Sequence, residues 1–204
     1  MKLKLSISIL TLLTILSFGQ EKKVENGMLY IEFLKAKKVS NTFNLNSSSK
    51  VKSNELKKIS VKCKIESLNK VDVDINKFSL IDNKNKLRYR PIDVSFQPST
   101  GYIAYKKLLK TDIKLGSMYM HQANIAYKPE IKDSYTDYYF EGYTNIEIPS
   151  DFGTNKKPKK TVIYFQSHGF HDFKSLFFFA ILNSAENPDL ELYYGNEKIS
   201  KVKL

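Results

Sequence analysis

The chain has 204 residues, a formal net charge of +12 and a single cysteine. One cysteine excludes an intrachain disulfide framework, and beyond the N-terminus no apolar run reaches the roughly 20 residues that a spanning helix needs. Of the 33 basic residues only Arg88 and Arg90 are arginine. Because nucleic-acid sites use arginine for planar, bidentate contacts, this composition argues against a nucleic-acid partner.

The N-terminus carries the three-part pattern of a secretory signal peptide. Residues 1–4 are basic, the 14 residues from Leu5 to Phe18 are uncharged and mostly apolar, and Gly19 places a small residue before a cleavage point. Because a run of 14 is too short to span a bilayer, we expect removal of residues 1–19 rather than a membrane anchor. No cysteine lies near that point. We therefore predict an exported protein, periplasmic or secreted, that is not a lipoprotein.

Residues 20–204 suffice for a single domain with its own hydrophobic core. Removal of Lys2 and Lys4 with the signal peptide lowers the formal charge from +12 to +10. A surplus of this size favours anionic partners, although such heavy use of lysine is also typical of a general composition bias.

The first half of this domain reads as a series of short strands. Residues 59–66 alternate between apolar and polar at every step, which is typical of a strand with one buried face. Polar composition predicts a lead-in at 21–26, a long loop or a loose strand pair at 41–55, and a turn at 82–86. The predicted strands are 28–35, 57–67, 71–75, 77–81, 87–90 and 92–96.

The second half is less regular but also favours strands. Residues 135–143 (YTDYYFEGY) are dense in aromatic residues with high strand propensity, and 161–166 (TVIYFQ) reads as a further strand. Residues 102–109 fit a helix or a strand, and periodicity does not separate a buried strand from a helix at 175–182. Residues 190–194 and 198–204 flank Gly195-Asn196 and predict a terminal hairpin. Short strands with alternating faces predict an all-β sandwich.

Cys63 lies on the apolar face of the alternating strand, beside Val61 and Ile65. This position predicts a small buried residue. A reactive thiol or an intermolecular bridge is the alternative.

Several pieces of the chain follow one another in a recognisable order. Between Gly27 and Pro91 they are MLYIEFLKAKKV, KISVKCKIESLNK and KFSLIDNKNKLRYRP, and TVIYFQ and LELYYGNEKISKVKL would supply closing strands. This order resembles the DUF4352 and telokin-like group of exported immunoglobulin-like domains. The resemblance implies an immunoglobulin-like β-sandwich and export, but no reaction. Residues 97–148 would be an insertion or extension of that sandwich.

Two clusters are candidate contact residues. Tyrosine offers a large rigid ring with a hydroxyl and is favoured at protein interfaces, which singles out Tyr135, Tyr138, Tyr139 and Tyr143. Ordinary strand packing is the alternative for these rings. Lys156, Lys157, Lys159 and Lys160 form the densest basic stretch, read either as an anion contact or as a solvated loop.

Candidates for chemistry are few. His168, His171 and Asp172 form the one local group of metal-ligating types, with His121 as a distant fourth, but no second close ligand pair accompanies them. We therefore assign no metal or cofactor. The chain has no Gly-x-Ser-x-Gly elbow and no Gly-rich phosphate loop.

These observations favour a non-catalytic binding or assembly module of the cell envelope. Its expected partner is an envelope protein or an anionic surface polymer. The alternative is a hydrolase of envelope or extracellular polymers, because paired carboxylates are defined in space and cannot be recognised by spacing.

Overall fold

The computed structural model describes residues 21–39, 55–97, 125–126, 134–146, 150–151, 156–157, 160–161, 164–165 and 172–204. Within these ranges the regular structure is β-strand with two short 3-10 turns, Leu68–Lys70 and Ile75–Lys77. The strands are β1 (Glu21–Val24), β2 (Leu29–Lys38), β3 (Leu56–Ser67), β4 (Phe78–Asp82), β5 (Leu87–Tyr89), β6 (Asp93–Gln97), β7 (Ile125–Ala126), β8 (Thr144–Ile146), β9 (Ser150–Asp151), β10 (Lys160–Thr161), β11 (Tyr164–Phe165), β12 (Asp172–Leu182), β13 (Leu190–Tyr194) and β14 (Glu197–Val202).

Two five-stranded sheets pack as a sandwich. The first sheet has the order β1-β2-β3-β12-β6 and the second the order β14-β13-β4-β5-β8. All neighbouring strands in them are antiparallel except β5 and β8, which are parallel. This arrangement confirms the predicted all-β sandwich. The signal peptide lies outside the described ranges, and the insertion at 97–148 stays a prediction.

The core lies between the inner faces of β3 and β12 and the second sheet. The alternation of β3 places Ile59, Val61, Cys63 and Ile65 on that face with no solvent exposure. Across the layer, Phe177 of β12 packs on Phe78 of β4 with ring centroids 4.1 Å apart. Side chains of this size contribute roughly 2–3 kcal/mol each on full burial, so these strands supply much of the folding free energy.

Cys63 is buried, as its position on the alternating strand predicted. Burial raises the pKa of its thiol, and the charge of Glu32 adds to that shift. The reactive thiolate is therefore disfavoured.

The strand predicted at 71–75 is wrong. Val73 makes an isolated bridge, and the chain then turns at Ile75–Lys77. The carboxylate of Asp74 accepts a hydrogen bond from the Asn76 backbone N–H at 2.9 Å. This local bond competes with strand pairing, while Val73 and Ile75 still reach the core.

Residues 135–143 are also not a strand. They form turns, and only Thr144–Ile146 after them pairs with β5. The rings of Tyr135, Tyr138 and Phe140 pack on the outer face of the second sheet, whereas Tyr139 is exposed. The lead-in predicted at 21–26 is partly wrong as well, because Glu21–Val24 forms β1 and pairs with β2.

The C-terminal predictions fare better. The ambiguous segment at 175–182 is a strand, β12, which pairs with β3 and β6. The terminal hairpin is confirmed as β13 and β14. The segment at 161–166 contributes to two short strands, β10 and β11, which pair with different partners. No helix among the described residues is long and apolar enough to cross a membrane.

Candidate binding surface

We call the segment 134–146 the tyrosine segment; its residues before β8 lie against the outer face of the second sheet, and β8 forms an edge of that sheet. On β5, Leu87 and Tyr89 belong to the core, so the side chain of Arg88 points to the opposite, outer face. Arg88 nevertheless has no solvent exposure, and Arg90 has 4%. Both arginines are therefore buried on the face that the tyrosine segment covers.

Tyr135 is the centre of this contact. The guanidinium carbon of Arg88 lies 3.8 Å from its ring centroid, and that of Arg90 lies 4.5 Å from it. The Tyr135 hydroxyl donates to the Arg88 carbonyl at 3.1 Å, and Arg88 Nη1 donates to the Tyr138 carbonyl at 2.6 Å. A planar guanidinium can stack its face on an aromatic ring while the N–H groups in its own plane donate hydrogen bonds. A lysine ammonium cannot do both.

The beginning of the tyrosine segment is also held by a hydrogen bond. The Ser134 hydroxyl donates to Asp74 Oδ2 at 2.5 Å, so the turn chemistry that ends the predicted 71–75 strand also anchors the tyrosine segment. Asp74 thus serves two elements that are 60 residues apart in sequence.

Tyr138 packs on the turn between β13 and β14. Gly195 occupies this turn with a φ of +59°, and a Cβ there would lie 2.9 Å from Tyr138 Cε1. The ammonium of Lys77 lies 5.9 Å from the Tyr138 ring and forms an ion pair with Glu25. Glycine is favoured here both by the backbone conformation and by the close approach of the Tyr138 ring.

The C-terminal part of the segment forms a small aromatic cluster. The ring of Phe140 meets Tyr193 of β13 edge-on at 5.2 Å and Tyr143 at 6.1 Å. The Tyr143 hydroxyl donates to Asn83 Oδ1 at 2.8 Å, and the Lys86 ammonium lies 4.8 Å above the Tyr143 ring. Edge-on pairs of this kind add about 0.5–1.5 kcal/mol beyond area burial.

Tyr139 differs from its neighbours. It is 78% exposed, the most exposed of the large hydrophobic side chains described. The residues on either side, Tyr138 and Phe140, both pack on the second sheet, so the backbone that carries Tyr139 is fixed. The tyrosine segment therefore holds one aromatic ring in solvent on a well-anchored support.

Two titratable side chains on β13, Glu191 and Tyr193, lie beneath this surface. Burial would raise the pKa of Glu191, but hydrogen bonds from Lys198 and Asn83 lower it overall. Burial, followed by the charge of Glu191, raises the pKa of Tyr193 to about 12. At neutral pH the face thus combines the neutral hydroxyl of Tyr193 with the ionised carboxylate of Glu191, which is paired with Lys198.

The four predicted tyrosines come together on this face, with different exposures. Tyr135 is buried, Tyr138 and Tyr143 are half-buried, and Tyr139 is exposed. The described cationic partners of the tyrosine rings here are Arg88, Arg90, Lys77 and Lys86, not the predicted lysine run.

The lysine run lies elsewhere in the chain. Lys156 and Lys157 are exposed, and Lys160 belongs to β10, opposite Asp151. Lys159 falls outside the described residues. An anion contact at these lysines stays a prediction.

The metal candidates are only partly within the structure. Asp172 is exposed at the start of β12, opposite Glu66 of β3. His121, His168 and His171 lie outside the described ranges. Among the residues that are described, no group of three His, Cys, Asp or Glu side chains could hold a metal ion.

Sequence reasoning placed Phe140 in the aromatic run but missed the other residues that support the tyrosines: Arg88, Arg90, Lys77, Tyr193 and Gly195. One signal was available, because a chain with 33 basic residues uses arginine only at positions 88 and 90. Comparisons with protein-family models, with curated proteins and with solved structures find no match to the chain, so the fold and this surface rest on the structure alone.

Proposed function

We propose that the protein is an exported, non-catalytic binding module of the cell envelope that contacts a partner protein through the tyrosine segment. The observation that carries this proposal is the 78% exposure of Tyr139 on a segment whose neighbouring rings are anchored. An exposed aromatic side chain on a fixed support loses little conformational entropy on binding, which is the property of interface hot spots.

The surroundings of Tyr139 support a protein partner. The half-buried rings of Tyr138, Phe140 and Tyr143 extend the aromatic area, and the exposed Asp137 and Glu141 add acidic groups to the same segment. Protein interfaces typically have a centre enriched in aromatic residues and a polar rim, and this segment offers both. A polyanion would meet carboxylates here, so the anionic surface polymer is the weaker choice for this face.

The hydrolase alternative receives less support. It requires two facing carboxylates in a cleft. In the open groove at the end of the sandwich, the acids are Glu186 and Asp189, and Asp189 is paired with Lys201 at 3.1 Å. Export itself is supported by the signal-peptide pattern of residues 1–19, which fits a periplasmic or a secreted protein.

The test is site-specific photo-crosslinking in the native host envelope. A photoreactive phenylalanine analogue at position 139 should give a discrete crosslinked protein. The matched control is position 30, because Tyr30 is a half-buried ring on the outer face of the first sheet that also carries a lysine at 5.1 Å.

The substitution Tyr139→Ala should weaken capture of the same partner at least tenfold, since hot-spot truncation costs about 2 kcal/mol or more. Tyr30→Ala should leave capture unchanged. Equal capture by wild type and Tyr139→Ala, or equal crosslinking at positions 30 and 139, would refute the proposal.

A further inference from the structure

An open groove of about 600 Å³ lies at one end of the sandwich, and none of the residues that line it belongs to the tyrosine segment. It is bounded by the end of β2, the start of β3, the loop 183–189 and the last residues after β14. Its base includes Leu190 and Val202, which are buried core residues. The volume falls within the roughly 300–1,000 Å³ that is typical of ligand sites.

Two lysines in this groove break the strand pattern. Lys38 pairs with Ile59 and Lys57 pairs with Ile181, and both isoleucines face the core. Residues directly opposite in a sheet share a face, so Lys38 and Lys57 occupy core-facing positions. Polar residues at positions where the pattern demands apolar ones are typical of functional sites rather than of packing.

The rim of the groove is basic. The charged side chains that line it are Lys38, Lys57, Lys201, Lys203, Glu186 and Asp189. Four cations against two anions give these side chains a formal charge of +2. A hydrogen bond from Lys201 lowers the pKa of Asp189, and the two side chains form an ion pair. With that pair set aside, the charged side chains of the lining are Lys38, Lys57 and Lys203 against Glu186.

The acidic wall of the groove is fixed before any ligand arrives. The buried Asp82 accepts a hydrogen bond from the Asp189 backbone N–H at 3.2 Å, and Asn83 N–H donates to the Asp189 carbonyl at 2.9 Å. Lys84 Nζ donates to the Glu186 carbonyl at 2.8 Å. These bonds hold the loop 183–189 against the second sheet, so the groove needs little reorganisation to bind.

We propose that this groove binds an acidic peptide segment, with an aliphatic side chain on the base and flanking carboxylates on the lysine rim. The base is aliphatic, and the lining residues include no aromatic ring on which a sugar could stack. The lysines supply charge complementarity and steer the approach of the peptide. This proposal does not depend on Tyr139 or on the partner of the tyrosine segment.

The test is a fluorescence anisotropy titration with a short labelled peptide of alternating glutamate and leucine. Two companion peptides replace glutamate by glutamine or leucine by serine, and a polyuronate serves as a non-peptide anion. We expect binding of the first peptide only, weakening as salt shortens the Debye length from about 10 Å at 0.1 M. Equal binding of either companion peptide, or of the polyuronate, would overturn the assignment.

The triple variant Lys38→Gln, Lys57→Gln, Lys203→Gln should weaken binding about tenfold, because it removes three of the four cations that attract the carboxylates of the peptide. The control Lys35→Gln, Lys37→Gln, Lys174→Gln removes the same charge from exposed positions outside the groove lining. The double variant Lys38→Gln, Lys203→Gln replaces the triple variant if that protein does not fold. Equal weakening by test and control variants would show that only net charge matters, and the proposal would be wrong.

Discussion

Cations occupy two regions of this molecule in opposite ways. Beneath the tyrosine segment, Arg88 and Arg90 are buried and lie over the ring of Tyr135. Along the groove, Lys38 and Lys203 are exposed, and Lys201 pairs with Asp189 at the surface. The comparison teaches that the chain uses its two arginines where a flat, multiply donating cation is needed in the interior. The groove lysines supply charge without a planar group that could stack, although the buried Lys58 over the Phe178 ring shows that lysine also occupies an interior position.

The sharpest test of this comparison removes the ring between the arginines and the solvent. Tyr135→Ala deletes a fully buried aromatic side chain and its hydrogen bond to the Arg88 carbonyl, so it should lower the free energy of unfolding by about 3–5 kcal/mol. Urea denaturation measures the change. Tyr139→Ala is the control and should change stability little, because that ring is exposed. A loss below about 1 kcal/mol for Tyr135→Ala would show that the ring does not anchor the segment.

A second test exchanges the cation types between the two regions. Arg88→Lys keeps the charge but loses the planar stack on Tyr135 and the fixed donor to the Tyr138 carbonyl, so we expect a loss of about 2–3 kcal/mol. The reciprocal change, Lys38→Arg in the groove, should leave the urea midpoint unchanged. If Arg88→Lys and Lys38→Arg had similar urea midpoints, the two regions would not differ in their need for arginine.

A third test compares two glycines. Gly195 and Gly142 both have positive φ, but only Gly195 would place a Cβ against another side chain, that of Tyr138. Gly142→Ala should therefore cost about 1 kcal/mol for backbone strain, and Gly195→Ala about 2 kcal/mol or more. Thermal unfolding would rank them. In a double-mutant cycle, Tyr138→Ala should reduce the free-energy cost of Gly195→Ala towards that of Gly142→Ala. If it does not, contact with the Tyr138 ring is not the cause of the larger cost.

The smallest effect concerns alkaline pH. Tyr193 has its pKa raised to about 12, so the folded state keeps this proton after the unfolded chain loses it near pH 10. Its contribution to stability is complete below pH 10 and is lost as the pH rises to 12. Tyr193→Phe should reduce this alkaline decline by about 1 kcal/mol after solvent screening is allowed for. The measurement is the free energy of unfolding at pH 9 and pH 12. An equal decline in wild type and Tyr193→Phe would contradict the role of Tyr193.

Local patterns predicted much of the sandwich. The alternation of β3 identified which side chains face the core, and the polar pair Gly195-Asn196 between apolar runs located the terminal hairpin. Both features depend on residues close in sequence, which is why they can be read without a structure.

Features that depend on distant partners were not predictable. The aromatic content of 135–143 indicated a strand because propensity cannot register that Tyr135 stacks on Arg88, 47 residues earlier. The turn at Asp74 is set by a carboxylate that also receives Ser134. The groove arises where β2, β3 and β14 meet, so its lysines look like ordinary surface residues in the sequence.

The burial of Cys63 makes the rate of its chemical modification a measure of local opening. Its sulfur is buried between the two sheets. An alkylating reagent can therefore reach it only when the sheets separate or β3 detaches from its neighbours. The rate of modification in native buffer would then report how often that part of the sandwich opens. In an oxidising compartment the same burial keeps two copies of the chain from becoming covalently linked.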